Sequence, residues 1–395
     1  MTAYLNALGV VCALGRGSQE VARKLFAGDC SGMQQQSGWV PERALTMGAV
    51  SGDLVAIPAT LTQHSSRNNQ LLLEAALQIQ GDIEQAIQTF GRERIAVVLG
   101  TSTSGIDEAS RGIAHYLQHQ QFPADYDYQQ QELSAPATFL AEWLNISGPA
   151  YVISTACTSS ARALMSAQRL LDMNLCDVVL CGGVDTLCKL TLNGFSALEA
   201  VSDERCNPFS ANRHGINIGE AAALFVMSKQ PASSHCIALL GAGASSDAHH
   251  ISAPEPSGRG AAQAMHKALS RAGVQPKQIG YLNLHGTATQ HNDAMESHAV
   301  TLVFPEGVPC SSTKPMTGHT LGAAGALETA FCWLSLNHGD ALAPHVWDGQ
   351  PDPALPALNW VTPGQTLAPT PQRCLMSNSF AFGGNNVSLI IGDAP

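Results

Sequence analysis

The chain has 395 residues, 45% of them hydrophobic and 13% charged, enough apolar sequence for two or three domain cores or one large body. With 20 Lys and Arg against 31 Asp and Glu, the formal charge of −11 gives no support to a nucleic-acid binder held by phosphate contacts. Eleven scattered cysteines, an odd number with no C-x-x-C, argue against a secreted disulfide scaffold or a Cys-type zinc site and fit a reducing cytoplasm better.

Residues 1–15 carry no charge before Arg16, the reverse of a signal peptide, whose positive charges precede its apolar run. No apolar stretch reaches about 18 residues, so no membrane span is expected. Short β-branched or apolar runs predict buried strands at Ile95 to Leu99, Tyr151 to Ile153, Val178 to Leu180, Ala223 to Met227, Ile279 to Leu284 and Val387 to Ile391. Helix-period segments lie between them at Asn69 to Leu77, Ser159 to Met173 and Ala261 to Ala272. This alternation predicts an α/β body with buried sheets. The segment 231–235 (PASSH) separates two such series and is the expected boundary between halves 1–235 and 236–395. A Pro-rich stretch, Pro344 to Pro371, reads as a surface connection before the last strand.

Three constellations carry candidate chemistry. Cys157, in Thr155 to Ala161 (TACTSSA), follows an apolar strand and opens a helix-period run. A helix N-terminus there favours a thiolate and predicts a lowered thiol pKa, although an arbitrary cysteine is more often an inert buried one. His285, in Asn283 to Thr289 (NLHGTAT), stands at the carboxyl end of a strand, where open α/β sheets bind ligands. Lys314 and His319, in Ser311 to His319 (SSTKPMTGH), precede a Gly/Ala-rich helix entry. A lysine so deep in small-residue sequence needs a carboxylate partner, and Glu328 is available.

With Asn193 to Leu198 (NGFSAL), Ser312 to Glu328 (STKPMTGHTLGAAGALE) and Ser377 to Asn386 (SNSFAFGGNN), these motifs make the chain resemble, over nearly its whole length, the β-ketoacyl-(acyl carrier protein) synthases. The resemblance implies a duplicated thiolase fold, five-layer αβαβα, in an obligate dimer. It implies a decarboxylative Claisen condensation of an acyl-enzyme thioester with a malonyl thioester, in fatty-acid or polyketide synthesis. Carried over by position, Cys157 is the acyl-accepting nucleophile and His285 with His319 the pair for decarboxylation and condensation. Lys314 orders that pair and Glu328 is its salt-bridge partner. Glu296 is a buried structural carboxylate, Thr287 and Thr289 hold the phosphopantetheine arm, and Phe195 and Phe382 flank the acyl pocket and a gating loop. The oxyanion falls to the backbone N–H groups of Cys157 and Phe382. Thr103, in the segment Val97 to Ile106, is expected at the far end of the acyl channel, with the segment weakly resembling aryl-polyene-type synthases. No metal or nucleotide cofactor is implied, the substrates being carried on the phosphopantetheine of acyl carrier protein. Arg67, Arg111 and Arg213 are candidate docking cations for that acidic carrier.

The chain departs from this pattern where relatives carry P-F-D-x-x-R-D-G-F. Pro208 to Ile216 here reads PFSANRHGI, with two carboxylates lost, while Gly219 to Ala223 reads GEAAA and Gln290 follows the second threonine. The partner is then a second copy or a same-fold subunit, such as a chain-length factor. A catalytically silent partner lacks the nucleophile kept here. A thiolase needs a second late cysteine where this chain has SNSFAFGG, with Cys374 upstream. A cysteine peptidase explains none of the other motifs. His115 and His119 lack the H-E-x-x-H glutamate, His249 and His250 belong in a loop, and Gly241-Ala242-Gly243 lacks the third dinucleotide-binding glycine.

Overall fold

The ten principal strands of the computed structural model, which describes residues 2–232 and 236–394, fall into two sets of five. The first holds β1 (Ala3–Cys12), β2 (Ile95–Gly100), β3 (Ala150–Ile153), β4 (Val178–Asp185) and β5 (Ala221–Ser228). The second holds β6 (Ile237–Ser246), β7 (Tyr281–Asn283), β8 (Pro309–Ser311), β9 (Cys374–Ala381) and β10 (Asn385–Asp393). From the centre outward the orders are β1-β5-β4-β2-β3 and β6-β10-β9-β7-β8, one pattern drawn twice. Directions repeat as well: β2 runs parallel to β3 and β4, as β7 does to β8 and β9, while the remaining neighbours are antiparallel. The sets join where Ala3 and Tyr4 of β1 pair with Leu239 and Ala238 of β6. The boundary expected at 231–235 includes residues 233–235, which lie outside the described residues.

Six helices build the layers: α1 (Arg67–Gln78), α2 (Ala135–Leu144), α3 (Ser159–Asp172), α4 (Arg259–Ala272), α5 (Gln290–Val303) and α6 (Ala324–Asn337). Period-2 alternation directs Ile95, Val97 and Leu99 of β2 into an outer core with Leu71, Leu72 and Phe139 of α1 and α2. The intervening Ala96 and Val98 face a central core with α3 and α6. Met265 of α4 and Val300 of α5 cover Leu282, Met376 and Ile390 in the opposite outer core. This gives the five-layer αβαβα thiolase-type arrangement. Helix α6, sandwiched between sheets, buries nearly every residue. Among the described residues no helix is long and apolar enough to cross a membrane.

The strands that the hydrophobic pattern misses are informative. In β6, IALLGAGASS, a Cβ on Gly241 would stand 2.3 Å from the Ala268 carbonyl oxygen, and one on Gly243 2.0 Å from that of Ala264. Helix α4 lies so close that β-branched residues are excluded, which accounts for the glycine pair. The stretch 344–371 is more than a surface connection: His345 and Val361 are buried, and Asn359–Trp360 adds a short strand beside β8.

Candidate active site

Three loops at the carboxyl ends of β3, β7 and β8 converge on one cavity of about 610 Å³, lined by Cys157, His285, His319, Thr287, Phe195 and Phe382 among others. Cys157 follows Ala156, a left-handed residue with φ 52°, so the chain turns sharply before α3 begins. His319 follows Gly318, whose φ of 69° and 2.8 Å clearance from the Ile218 carbonyl exclude a side chain. The segment is then pinned by His319 N–H donating to Asn217 O at 2.7 Å and Gly219 N–H to His319 O at 3.0 Å.

The reactive atoms of Cys157, His285 and His319 lie within 4.8 Å of one another and are all buried. Sγ of Cys157 is 3.0 Å from Nε2 of His319, and the two imidazoles meet edge to face with centroids 5.2 Å apart. The Leu321 N–H donates to Nδ1 of His319 at 3.2 Å, which fixes the tautomer: Nε2 carries the proton and donates toward the cavity. A metal ligand would present a lone pair there, so this clustering suits charge stabilisation better than metal binding. Burial and the nearby Lys314 charge push both imidazole pKa values well below their ordinary range, so both rings are neutral. Burial pushes the Cys157 thiol up to about 12, with the Lys314 charge pulling the other way. The lowered thiol pKa expected from the helix end is therefore overridden in the closed cavity by loss of water.

Lys314 and Glu328 are both buried, with Nζ and Oε1 2.5 Å apart, and Nζ also donates to the backbone carbonyl of His285. One side chain thus ties the His285 turn to α6. Burial pushes the Glu328 carboxyl up to about 7, against the pull of Lys314. Removing one member of a buried pair leaves the other charge uncompensated. Glu328→Ala is therefore expected to cost about 3–5 kcal/mol in denaturant unfolding, and Lys314→Met with Glu328→Leu less than that. Glu296, also buried, accepts the His285 and Gly286 N–H groups at 2.8 and 2.7 Å. It shapes the turn without reaching the cavity wall.

The Thr287 and Thr289 hydroxyls, 3.0 Å apart, line the cavity, and the Phe195 and Phe382 rings face each other at 5.7 Å across its mouth. Thr103 is not on that wall. Its hydroxyl and N–H both go to the buried Asp185, 2.6 and 2.8 Å away, which also accepts from Thr101 and from Gly322 just beyond His319. Asp185 drew no notice as a lone acidic residue after a strand, because what marks it is the hydroxyl-rich loop 101–103 folding over it.

The altered 208–216 loop recovers its carboxylates from elsewhere. Asp348 accepts from Ser210 and Asn212 at 2.8 Å each, and Asp352 pairs with Arg213 at 2.6 Å. Arg67 is engaged with the buried Glu220, and Arg111 with Asp107 and Glu108. All three candidate docking cations therefore already hold carboxylates. His115 is exposed, with Nδ1 on the Gln121 carbonyl, and His249 and His250 lie in a loop. Cys374 is buried in the outer core with Leu282 and Met376, away from the cavity.

Comparison with known proteins agrees with this geometry. The family described as "Beta-ketoacyl synthase, N-terminal domain" matches residues 7–232, and its "C-terminal domain" counterpart matches residues 237–346. The chain is 37% identical over 262 residues to a mitochondrial 3-oxoacyl-[acyl-carrier-protein] synthase of Arabidopsis thaliana, covering 62% of this chain and 56% of the relative. It is 35% identical over 261 residues to 3-oxoacyl-[acyl-carrier-protein] synthase 2 of Staphylococcus aureus, covering 62% and 64%. The matches thus span less than two thirds of these relatives' length. Among solved structures, a ketosynthase in complex with its chain length factor from Xenorhabdus doucetiae is similar at TM-score 0.94 and 48% identity, covering 100% of this chain and 98% of that one. A beta-ketoacyl synthase from Burkholderia phymatum STM815 gives 0.89 and 28%, with full coverage of both chains.

Proposed function

Since the chain belongs to the β-ketoacyl synthase family, we propose that it is an acyltransferase joining an acyl thioester to a malonyl thioester, both delivered on acyl carrier protein. Cys157 attacks the acyl thioester carbonyl, forming an S–C bond as the pantetheine thiol leaves, with the oxyanion held by the N–H groups of Cys157 and Phe382. The malonyl group then loses carbon dioxide. The electron pair left behind forms an enolate whose oxygen accepts hydrogen bonds from neutral His285 and His319. The enolate carbon attacks the acyl-enzyme carbonyl, the S–C bond to Cys157 breaks, and the departing sulfur takes up a proton from water to return as the thiol while the β-ketoacyl product forms. The observation that carries this reading is the fixed tautomer of His319, which offers an N–H where an enolate oxygen has to be stabilised.

Lys314 with Glu328 keeps the His285 turn in place, Glu296 holds its backbone, and Thr287 and Thr289 take the amides of the phosphopantetheine arm. Incubating the protein with acyl carrier protein loaded with an acyl chain, then with its malonyl form, and weighing the intact chain at each stage is the direct test. Acyl mass should appear on Cys157 and disappear on malonyl addition. Mass that appears elsewhere, or persists, would end the proposal.

A same-fold subunit, a second copy or a chain-length factor, completes the assembly in this reading, and the eleven free cysteines fit a cytoplasmic site. The halves divide at residues 235 and 236, as the repeated strand order supports. Thr103 takes part in setting acyl length through the Asp185 network beside the His319 loop, in fatty-acid or polyene-type synthesis. Thr103→Phe is expected to shorten the longest acyl chain accepted and Thr103→Gly to lengthen it, by about 1–3 kcal/mol per methylene. Identical chain-length profiles for both variants and the parent would remove Thr103 from the control of acyl length.

A further inference from the structure

Asp185 closes β4 wholly buried, and donors from two separate loops converge on its carboxylate. Oδ1 accepts from the Thr101 and Thr103 hydroxyls at 2.7 and 2.6 Å, and from the Ser102 and Thr103 N–H groups at 2.8 Å each. Oδ2 accepts from the Gly322 N–H at 2.5 Å and shares that of Ser102 at 3.0 Å. Every one of these donors is an uncharged hydroxyl or amide. Burial pushes the carboxyl pKa up against their pull, so the charge is kept there at a cost. In return it binds the loop after β2 to the short turn Leu321–Ala323 that leads into α6.

That turn carries the Leu321 N–H, which donates to Nδ1 of His319 at 3.2 Å. Leu321 is buried and left-handed, with φ 50°, a conformation that a residue other than glycine keeps only where its neighbours impose it. The bond from Gly322 to Asp185 imposes it from the next peptide, and a Cβ on Gly322 would stand only 2.6 Å from Oδ2. His319 is anchored separately, its N–H on Asn217 O and its O on the Gly219 N–H. Asp185 therefore reaches the imidazole through Leu321 and not through the histidine's own backbone.

We propose that Asp185 is a positioning residue for the reaction: by holding the Leu321–Gly322 peptide it aims the Leu321 N–H at Nδ1 of His319 and keeps the imidazole proton on Nε2, facing the cavity. A neutral imidazole carries its proton on the nitrogen that is not accepting a hydrogen bond. Without the Leu321 N–H the proton is free to occupy Nδ1, and Nε2 then turns a lone pair toward the enolate oxygen. The chemistry served by that proton rests on the synthase reading, whereas its position can be read on the resting protein.

Asp185→Asn tests this with almost no change of shape. Four bonds fall on Oδ1, so the amide oxygen stays there and the NH2 group takes the place of Oδ2, donor against the Gly322 N–H. Gly322→Ala breaks the same contact from the other side with the carboxylate intact, at a backbone conformation that alanine can adopt. Thr101→Val removes one donor from Oδ1 and leaves Oδ2 untouched. The readout is NMR of the ring nitrogens in the complete chain, isotopically labelled at histidine, with His319 identified by its absence from the His319→Ala spectrum. The parent and Thr101→Val should show a protonated Nε2 and a bare Nδ1. Asp185→Asn and Gly322→Ala should each draw the two nitrogen shifts together, the mark of mixed tautomers. Each should also slow condensation about tenfold, short of the 10²–10³ lost when the donor is removed outright. Parent-like nitrogen shifts in both variants, with circular dichroism showing them folded, would overturn the proposal. So would an equal change in Thr101→Val, which would mean general loosening of the loop. A proton already on Nδ1 in the parent would overturn it together with the enolate reading, while the expected tautomer changes in a parent that performs no condensation would sink only the synthase reading.

Discussion

Cys157→Ala is expected to abolish both acyl-enzyme formation and condensation, with a loss of at least about 10⁴-fold, while malonyl decarboxylation continues. No other cysteine can take its place: among the described residues it is the cysteine that joins His285 and His319 in the buried cluster, and Cys374 lies in a different core. Decarboxylation is expected to survive because the two imidazoles proposed to stabilise the enolate remain. Intact mass after exposure to acyl carrier protein, with carbon dioxide release measured in parallel, reads both halves of the claim. Acyl transfer persisting in the alanine variant would place the nucleophile elsewhere.

His285→Ala and His319→Ala are each expected to slow condensation by about 10²–10³, the usual worth of one donor to developing negative charge. They should differ at the thiol. His319 Nε2–H points at Sγ from 3.0 Å and stabilises a thiolate as it forms, so His319→Ala should also slow iodoacetamide labelling of Cys157, whereas His285→Ala should not. With the thiol held near 12, labelling of the parent should keep rising about tenfold per pH unit through pH 9. Both imidazoles titrate well below their ordinary value, so the rate of condensation should show no acid limb near pH 6.5. Labelling that levels off near pH 7, or an acid limb there, would point instead to a Cys–His ion pair.

The strands and loops that carry chemistry were legible because each leaves a local signal. Hydrophobic runs mark β2, β4 and β5, and small-residue turns follow β3, β7 and β8 into Cys157, His285 and Lys314. Strand β6 was not legible, since the proximity of α4 replaced its expected side chains with glycine and alanine. Asp348 and Asp352 were equally hidden, because their value comes from reaching Ser210, Asn212 and Arg213 from more than a hundred positions away. Distance in sequence also concealed Asp185, whose meaning depends on loops following β2 and preceding α6. The thiol pKa was misjudged for a related reason. A helix end is visible in sequence, but the exclusion of water is a property of the assembled cavity.

Where α3 meets α6, a Cβ on Gly325 would stand 2.7 Å from that of Ala161, and the Ser160 hydroxyl accepts the Ala326 N–H at 2.8 Å from 166 positions away. Contacts of that span close late in folding, because the loop between them has to be gathered first. The seam therefore acts as a timer. A chain still emerging from synthesis carries Cys157 without its two imidazoles, and only docking of the second half against the first brings thiol and donors together, so the three-residue cluster is complete only once the last contacts have formed.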